Sequence, residues 1–86
     1  MKYMIIERYH QGAKDAIYER YAAKGRMMPE GLHYLDSWLT VDGQTCYQLM
    51  ETEHRDLFEQ WMKHWNDLVR LDIIPVVDSP TKSTDK

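Results

Sequence analysis

One cysteine, three prolines, four glycines and a single phenylalanine are all that this 86-residue chain holds of those types. The lone Cys46 can close no internal disulfide, which fits a reducing, cytoplasmic compartment. Four isolated glycines leave no phosphate-cradling loop. Apolar residues make up 43% and charged residues 29%, a globular rather than a disordered composition. No apolar run approaches the ~18–20 residues of a membrane span. The first apolar run, residues 3–6, stops at Glu7-Arg8, short of a signal-peptide core. An excess of basic residues is also missing. A net charge of −3 leaves no electrostatic footprint for nucleic acid or anionic lipid, so neither nucleic acid nor membrane is an expected partner.

Chemistry-bearing patterns are equally scarce. Ser37 is the only serine before the C-terminal tail, and Cys46 has no nearby base in the sequence. A free cysteine in an apolar strand is an inert small hydrophobe by default. His10, His33, His54 and His64 show no i, i+4 spacing, so no zinc pair and no metal are expected. One histidine would suffice as an axial haem ligand, but exposed polar histidines are the favoured reading. The six methionines read as core filling. Lys14, Lys24 and Arg26 read as solvated helix ends.

What is present is a series of short periodic segments. Residues 2–9 are β-rich and closed by Gln11-Gly12. From Ala13 the period becomes helical, with Ala13, Ile17, Tyr18, Tyr21 and Ala22 on one face and Gly25 as the stop. Residues 32–41 and 44–52 flank Asp42-Gly43, which predicts a hairpin with a two-residue type I′ turn. If Val41 faces Gln44, Leu39 pairs with Cys46, Ser37 with Gln48, Leu35 with Met50, Trp38 with Tyr47, Asp36 with Leu49 and Tyr34 with Glu51. Thr52 is a predicted cap for a second helix with the apolar stripe Leu57, Phe58, Trp61, Met62 and Trp65. Residues 68–77 form a last strand, and Pro75 assigns it to a sheet edge. The domain spans 1–77. Residues 78–86 have nothing to bury and read as a disordered polar tail.

The order β-α-β-β-α-β with right-handed crossovers predicts an α+β, ferredoxin-like fold. It has a four-stranded antiparallel sheet in the order 4-1-3-2 and both helices on one face. One strand parity, Met4, Ile6, Leu35, Leu39, Cys46 and Met50, suits the helices. The other carries Tyr3, Ile5, Tyr9, Tyr34, Trp38, Tyr47 and Leu49, with Ile74 and Val76. Two helices cover one face, and a chain this short is marginal as a monomer, so a second copy is expected against the other. The predicted homodimer interface is Tyr3, Ile5, Tyr34, Trp38, Tyr47 and Leu49.

The runs Met4-Ile5-Ile6-Glu7-Arg8-Tyr9, Gly12-Ala13-Lys14, Ala23-Lys24-Gly25-Arg26-Met27-Met28-Pro29-Glu30-Gly31-Leu32, Asp36-Ser37-Trp38-Leu39 and Tyr47-Gln48-Leu49-Met50-Glu51-Thr52 give the chain a family likeness over residues 2–77. It resembles a group of short, uncharacterised bacterial proteins within the dimeric α+β barrel superfamily. The resemblance implies the ferredoxin-like fold and the dimer, and it brings no assigned activity. The wider superfamily includes cofactor-free monooxygenases, muconolactone isomerases and haem-binding chlorite dismutases. None of their catalytic motifs maps onto a position here.

Polar residues among the aromatic strands, Glu7, Asp36, Glu51, Arg70 and Asp72, are the most informative. The proposed topology would bring Glu7 beside Arg70, and Glu7, Tyr34, Trp38, Tyr47 and Arg70 form the candidate pocket. A carboxylate in such a pocket would serve as a general base; the bland reading is an interface ion pair. A site between sheet and helices, as in the wider superfamily, competes for the same residues. The favoured function is a small cytosolic homodimer binding a small apolar or aromatic molecule, with no cofactor. One alternative is a cofactor-independent monooxygenase or isomerase-like enzyme; a second is a haem-binding relative.

Overall fold

Burial along the first strand shows which side of the sheet is covered. In a computed structural model, which describes residues 1–81, the chain runs β1 (Lys2–Tyr9), α1 (Lys14–Lys24), β2 (His33–Leu39), β3 (Thr45–Glu51), α2 (Leu57–Met62) and β4 (Val69–Val76). The four strands form one antiparallel sheet in the order β2-β3-β1-β4, the order expected from the element sequence. Pro75 lies in the edge strand β4, where a missing ladder donor costs nothing to a further neighbour.

Along β1, Tyr3, Ile5 and Glu7 are buried, whereas Lys2 and Arg8 are exposed and Met4 and Ile6 half-buried. Directly opposed residues in an antiparallel pair share a face. Tyr3 faces Met50, Ile5 faces Gln48 and Glu7 faces Cys46 on one side, and Ile73 and Leu71 on the other. The helices therefore rest on Tyr3, Ile5 and Glu7 rather than on Met4 and Ile6. Both parities of β1 are apolar, so its sequence alone does not choose. The choice is made by Phe58 and Trp61 of α2. The Tyr3 ring meets the Phe58 ring edge-on at 5.0 Å, and Phe58 meets Trp61 at 6.4 Å.

The hairpin keeps its predicted register at Leu39–Cys46, Trp38–Tyr47, Ser37–Gln48 and Asp36–Leu49, then shifts. A bulge at Leu35 pairs Tyr34 with Met50 and His33 with Glu51. Because side chains alternate with period two, the extra residue turns Tyr34 to the helix side. The turn also differs from a type I′ pair. Thr40 and Thr45 close a four-residue loop through the Thr40 N–H on the Thr45 carbonyl (2.8 Å), and the Gly43 N–H reaches the Thr40 carbonyl (2.8 Å). Gly43 alone in this loop has positive φ, +75°. Asp42 accepts from the Thr40 hydroxyl (2.7 Å) and the Gln44 N–H (3.0 Å), which favours the wider loop.

α1 ends where expected: Gly25, at φ +69°, donates its N–H to the Tyr21 carbonyl at 2.7 Å. α2 begins later than Thr52. The Thr52 hydroxyl accepts the His54 N–H at 3.0 Å, and three tight i→i−3 bonds lead into the helix at Leu57. Its predicted stripe still faces inward, with Phe58, Trp61 and Trp65 buried and Leu57 and Met62 packed against them. Residues 78–81 hold no strand or helix, and the rest of the predicted tail, 82–86, lies outside the described residues.

Candidate functional site

α1 is a poor lid. Only Ile17 of its eleven residues is buried, and Tyr18 and Tyr21 are each 42% exposed. On β2, Leu39 points to the helix side yet stays exposed, because neither helix reaches that edge. The incomplete cover leaves a crevice. It is a cavity of about 150 Å³ beneath α1, lined by Ile17, Tyr18 and Tyr21 from the helix and Glu7, Tyr9, Ser37, Cys46, Gln48 and Val69 from the strands. Arg26 and Trp65 complete the wall.

Glu7 and Gln48 sit on the central strands β1 and β3, two positions apart in the ladder and so diagonal neighbours on one face, and both are buried. The Gln48 Nε2 donates to Glu7 Oε2 in a short bond. Gln48 Oε1 is buried with no hydrogen-bond partner, a costly state for an amide oxygen. Burial pushes the Glu7 carboxyl up to about 7; the Arg26 charge and the Gln48 bond hold it from rising further. Near neutral pH this carboxyl is divided between its two protonation states, as a proton-exchanging group requires. Burial, and after it Glu7, raises the Cys46 thiol to about 11, so it stays protonated. Burial and the neighbouring Cys46 and Tyr18 push the Tyr9 hydroxyl above its ordinary range.

Arg26 is held by its aromatic neighbours. Its guanidinium lies 3.7 Å from the Tyr34 ring centroid and 5.1 Å from that of Tyr21, and it donates to the Tyr21 hydroxyl at 3.1 Å. Its carbonyl accepts both the Trp61 and the Trp65 indole N–H, each at 3.0 Å. Two core tryptophans thus fix the backbone from which the side chain reaches the crevice. The Tyr34 hydroxyl shares a hydrogen bond with Ser37 Oγ at 2.5 Å.

Of the sequence-named residues, Glu7 lies at the crevice and Tyr34 at its border, through Arg26 and Ser37. Trp38 and Tyr47 pair with each other on the opposite face of the sheet. Arg70 faces Arg8 rather than Glu7, because Glu7 pairs with Leu71; the cation beside Glu7 is Arg26. Arg8 is ion-paired with Asp72 on the outer face. Tyr3 and Ile5 are buried under the helices, while Leu49 stands with Trp38 and Tyr47. Gln48, Tyr18 and Tyr21 were not named as site residues by the sequence, and Arg26, read there as a solvated helix end, is instead half-buried in the crevice wall. A signal for Gln48 existed: it is a polar residue at an inward position between Cys46 and Met50. All four histidines are exposed and none lines the cavity. Among the described residues no three His, Cys, Asp or Glu side chains cluster as metal ligands, and no helix is long and apolar enough to cross a membrane.

A second hollow, between α2 and β4, is lined by Arg55, Asp56, Phe58, Glu59, Met62, Leu71, Asp72 and Ile73, without a buried polar group. A family model described as "Domain of unknown function (DUF3303)" matches residues 1–82. No curated protein and no solved structure matches the chain.

Proposed function

The chain belongs to this family of unknown function, and from that footing we propose that it is a binding domain for a small aromatic molecule, seated in the crevice between α1 and the sheet. The observation that carries this reading is the buried Glu7–Gln48 pair, with one amide oxygen unpartnered, in the lining of a cavity walled by tyrosine and tryptophan rings. Pockets that orient ligands combine mostly apolar walls with a few fixed polar groups. About 150 Å³ suits a single-ring compound. Titrating the isotope-labelled protein with phenol and with indole, followed by amide NMR shifts, tests it. Shifts should gather at Tyr9, Tyr18, Tyr21, Arg26 and Gln48. Shifts confined to Trp38 and Tyr47 would sink the crevice reading.

The second part of the proposal is assembly as a homodimer of the dimeric α+β barrel kind. Trp38 is 51% exposed, Ile74 43% and Tyr47 37%, with Leu49, Met4 and Ile6 half-buried beside them. These residues are neighbours across the ladder and form one apolar group on the face the helices leave uncovered, the kind of surface that marks an interface. Two such faces packed about a two-fold axis would bury it. Sedimentation velocity should give a dimer for the native chain and a monomer for Trp38→Lys.

An enzymatic reading, of the cofactor-independent monooxygenase or isomerase kind, draws on the same Glu7. A carboxyl near 7 in a cavity is suited to take a C–H proton from a bound ligand. Deuterium uptake by the ligand in heavy water, lost in Glu7→Gln, is its signature.

A further inference from the structure

Resting on the crevice reading, we propose the class of its ligand: a small ring-bearing weak acid that also carries a hydroxyl or N–H donor. Its anionic group meets Arg26, and its donor meets Gln48 Oε1. Three features of the cavity point there. The buried Oε1 accepts no hydrogen bond from the protein, and Gln48 lines the cavity, so a donor on the ligand would supply the missing partner. Arg26, which is only half-buried, spends a single hydrogen bond on Tyr21, so most of its planar fork of donors remains for an anion. The rings of Tyr18, Tyr21 and Trp65 in the wall offer a ring contacts on its faces and edge.

The charge balance of the crevice agrees. The titratable or charged groups facing Glu7 are Tyr9 on its own strand, Cys46 on β3, Tyr18 and Tyr21 on α1, and Arg26 in the loop after it. β4 contributes only Val69, and β2 only Ser37. Tyr9 and Cys46 are held neutral near pH 7 by burial. Glu7 and Arg26 therefore carry the charge in the crevice. An anion on Arg26 cancels the interaction that favours ionised Glu7, so the ligand binds best when Glu7 is protonated.

The test is calorimetric titration of the full chain with a matched series: meta-hydroxybenzoate, meta-hydroxybenzyl alcohol and meta-hydroxybenzylamine. The benzoate should bind at least tenfold more tightly than the amine and more tightly than the alcohol. Its affinity should fall about tenfold from pH 6 to pH 8, as Glu7 goes from mostly protonated to mostly ionised. Glu7→Gln should bind the benzoate with no such fall. Arg26→Gln should lose the preference for benzoate over alcohol; the Arg26 carbonyl that anchors Trp61 and Trp65 is untouched by that change. Alcohol or amine binding as tightly as the benzoate overturns the ligand class while leaving a ring-binding crevice. A pH fall retained in Glu7→Gln overturns it too. If no member of the series binds the native chain, the crevice reading and the ligand class fail together.

Discussion

Replacing Glu7 by Gln should make the domain more stable at pH 8, not less. In the unfolded chain the carboxyl titrates near 4.5, and in the folded protein burial raises it to about 7. The folded state therefore binds more protons than the unfolded state between these values, and stability falls as pH rises through that window. Below about 4.5 both states hold the proton and the penalty is absent; above about 7 it is complete. Each tenfold of proton affinity is ~1.4 kcal/mol, so the loss is about 3 kcal/mol. That is a large part of the stability of a domain this small. Asp42 and Asp67, held low by their hydrogen bonds to Thr40 and Arg20, finish ionising below this window and do not mimic the effect. Glutamine resembles the neutral carboxyl and can still accept from Gln48. Urea unfolding at fixed protein concentration, at pH 5, 6, 7 and 8, reads the result. With a slope of roughly 1.5 kcal/mol per molar urea, the native midpoint should drop by about 2 M from pH 5 to pH 8. The Glu7→Gln midpoint should stay nearly level. A native midpoint that is flat or rises with pH, or a Glu7→Gln chain with the same decline, would refute a Glu7 buried at cost.

Three further outcomes follow from the packing. Trp61→Phe and Trp65→Phe each leave the Arg26 carbonyl one indole donor, and the double variant leaves it none. The pair should therefore cost about 1–2 kcal/mol more than the sum of the single changes, measured by urea unfolding in a double-mutant cycle. Gly31→Ala should destabilise more than Gly12→Ala. Both positions have positive φ, at +95° and +77°, but a Cβ at Gly31 comes within 3.0 Å of Leu57 Cδ1 whereas Gly12 is open. About 1–2 kcal/mol is expected for Gly12→Ala and more for Gly31→Ala, read from midpoints. Cys46, with its thiol raised to about 11, should react with a thiol reagent at pH 8 far more slowly than free cysteine, and urea should restore the rate.

The order of elements was legible because each carries its own periodicity. The β1 run, the Gly25 stop, the Asp42-Gly43 turn and the Phe58, Trp61, Trp65 stripe are local signals, and their sum has one economical sheet order. Face assignment was legible only in part. In β3, Cys46, Gln48 and Met50 alternate unambiguously with Tyr47 and Leu49, and Trp38 follows across the ladder. In β1 both parities are apolar, and in β2 the bulge at Leu35 reverses Tyr34 without a residue type that announces it.

The sequence by itself thus determined the six elements, their connectivity and the pairing of Gln48 with Ser37, since hydrophobic period and turn chemistry act over a few neighbouring residues. Only the tertiary structure decided that Glu7 faces inward, that Arg26 rather than Arg70 is its cation, and that α1 leaves a crevice above them. Those facts depend on strand parity and on how far a short helix reaches across a wide sheet. Both are set by contacts between residues dozens of positions apart, where no local pattern reports.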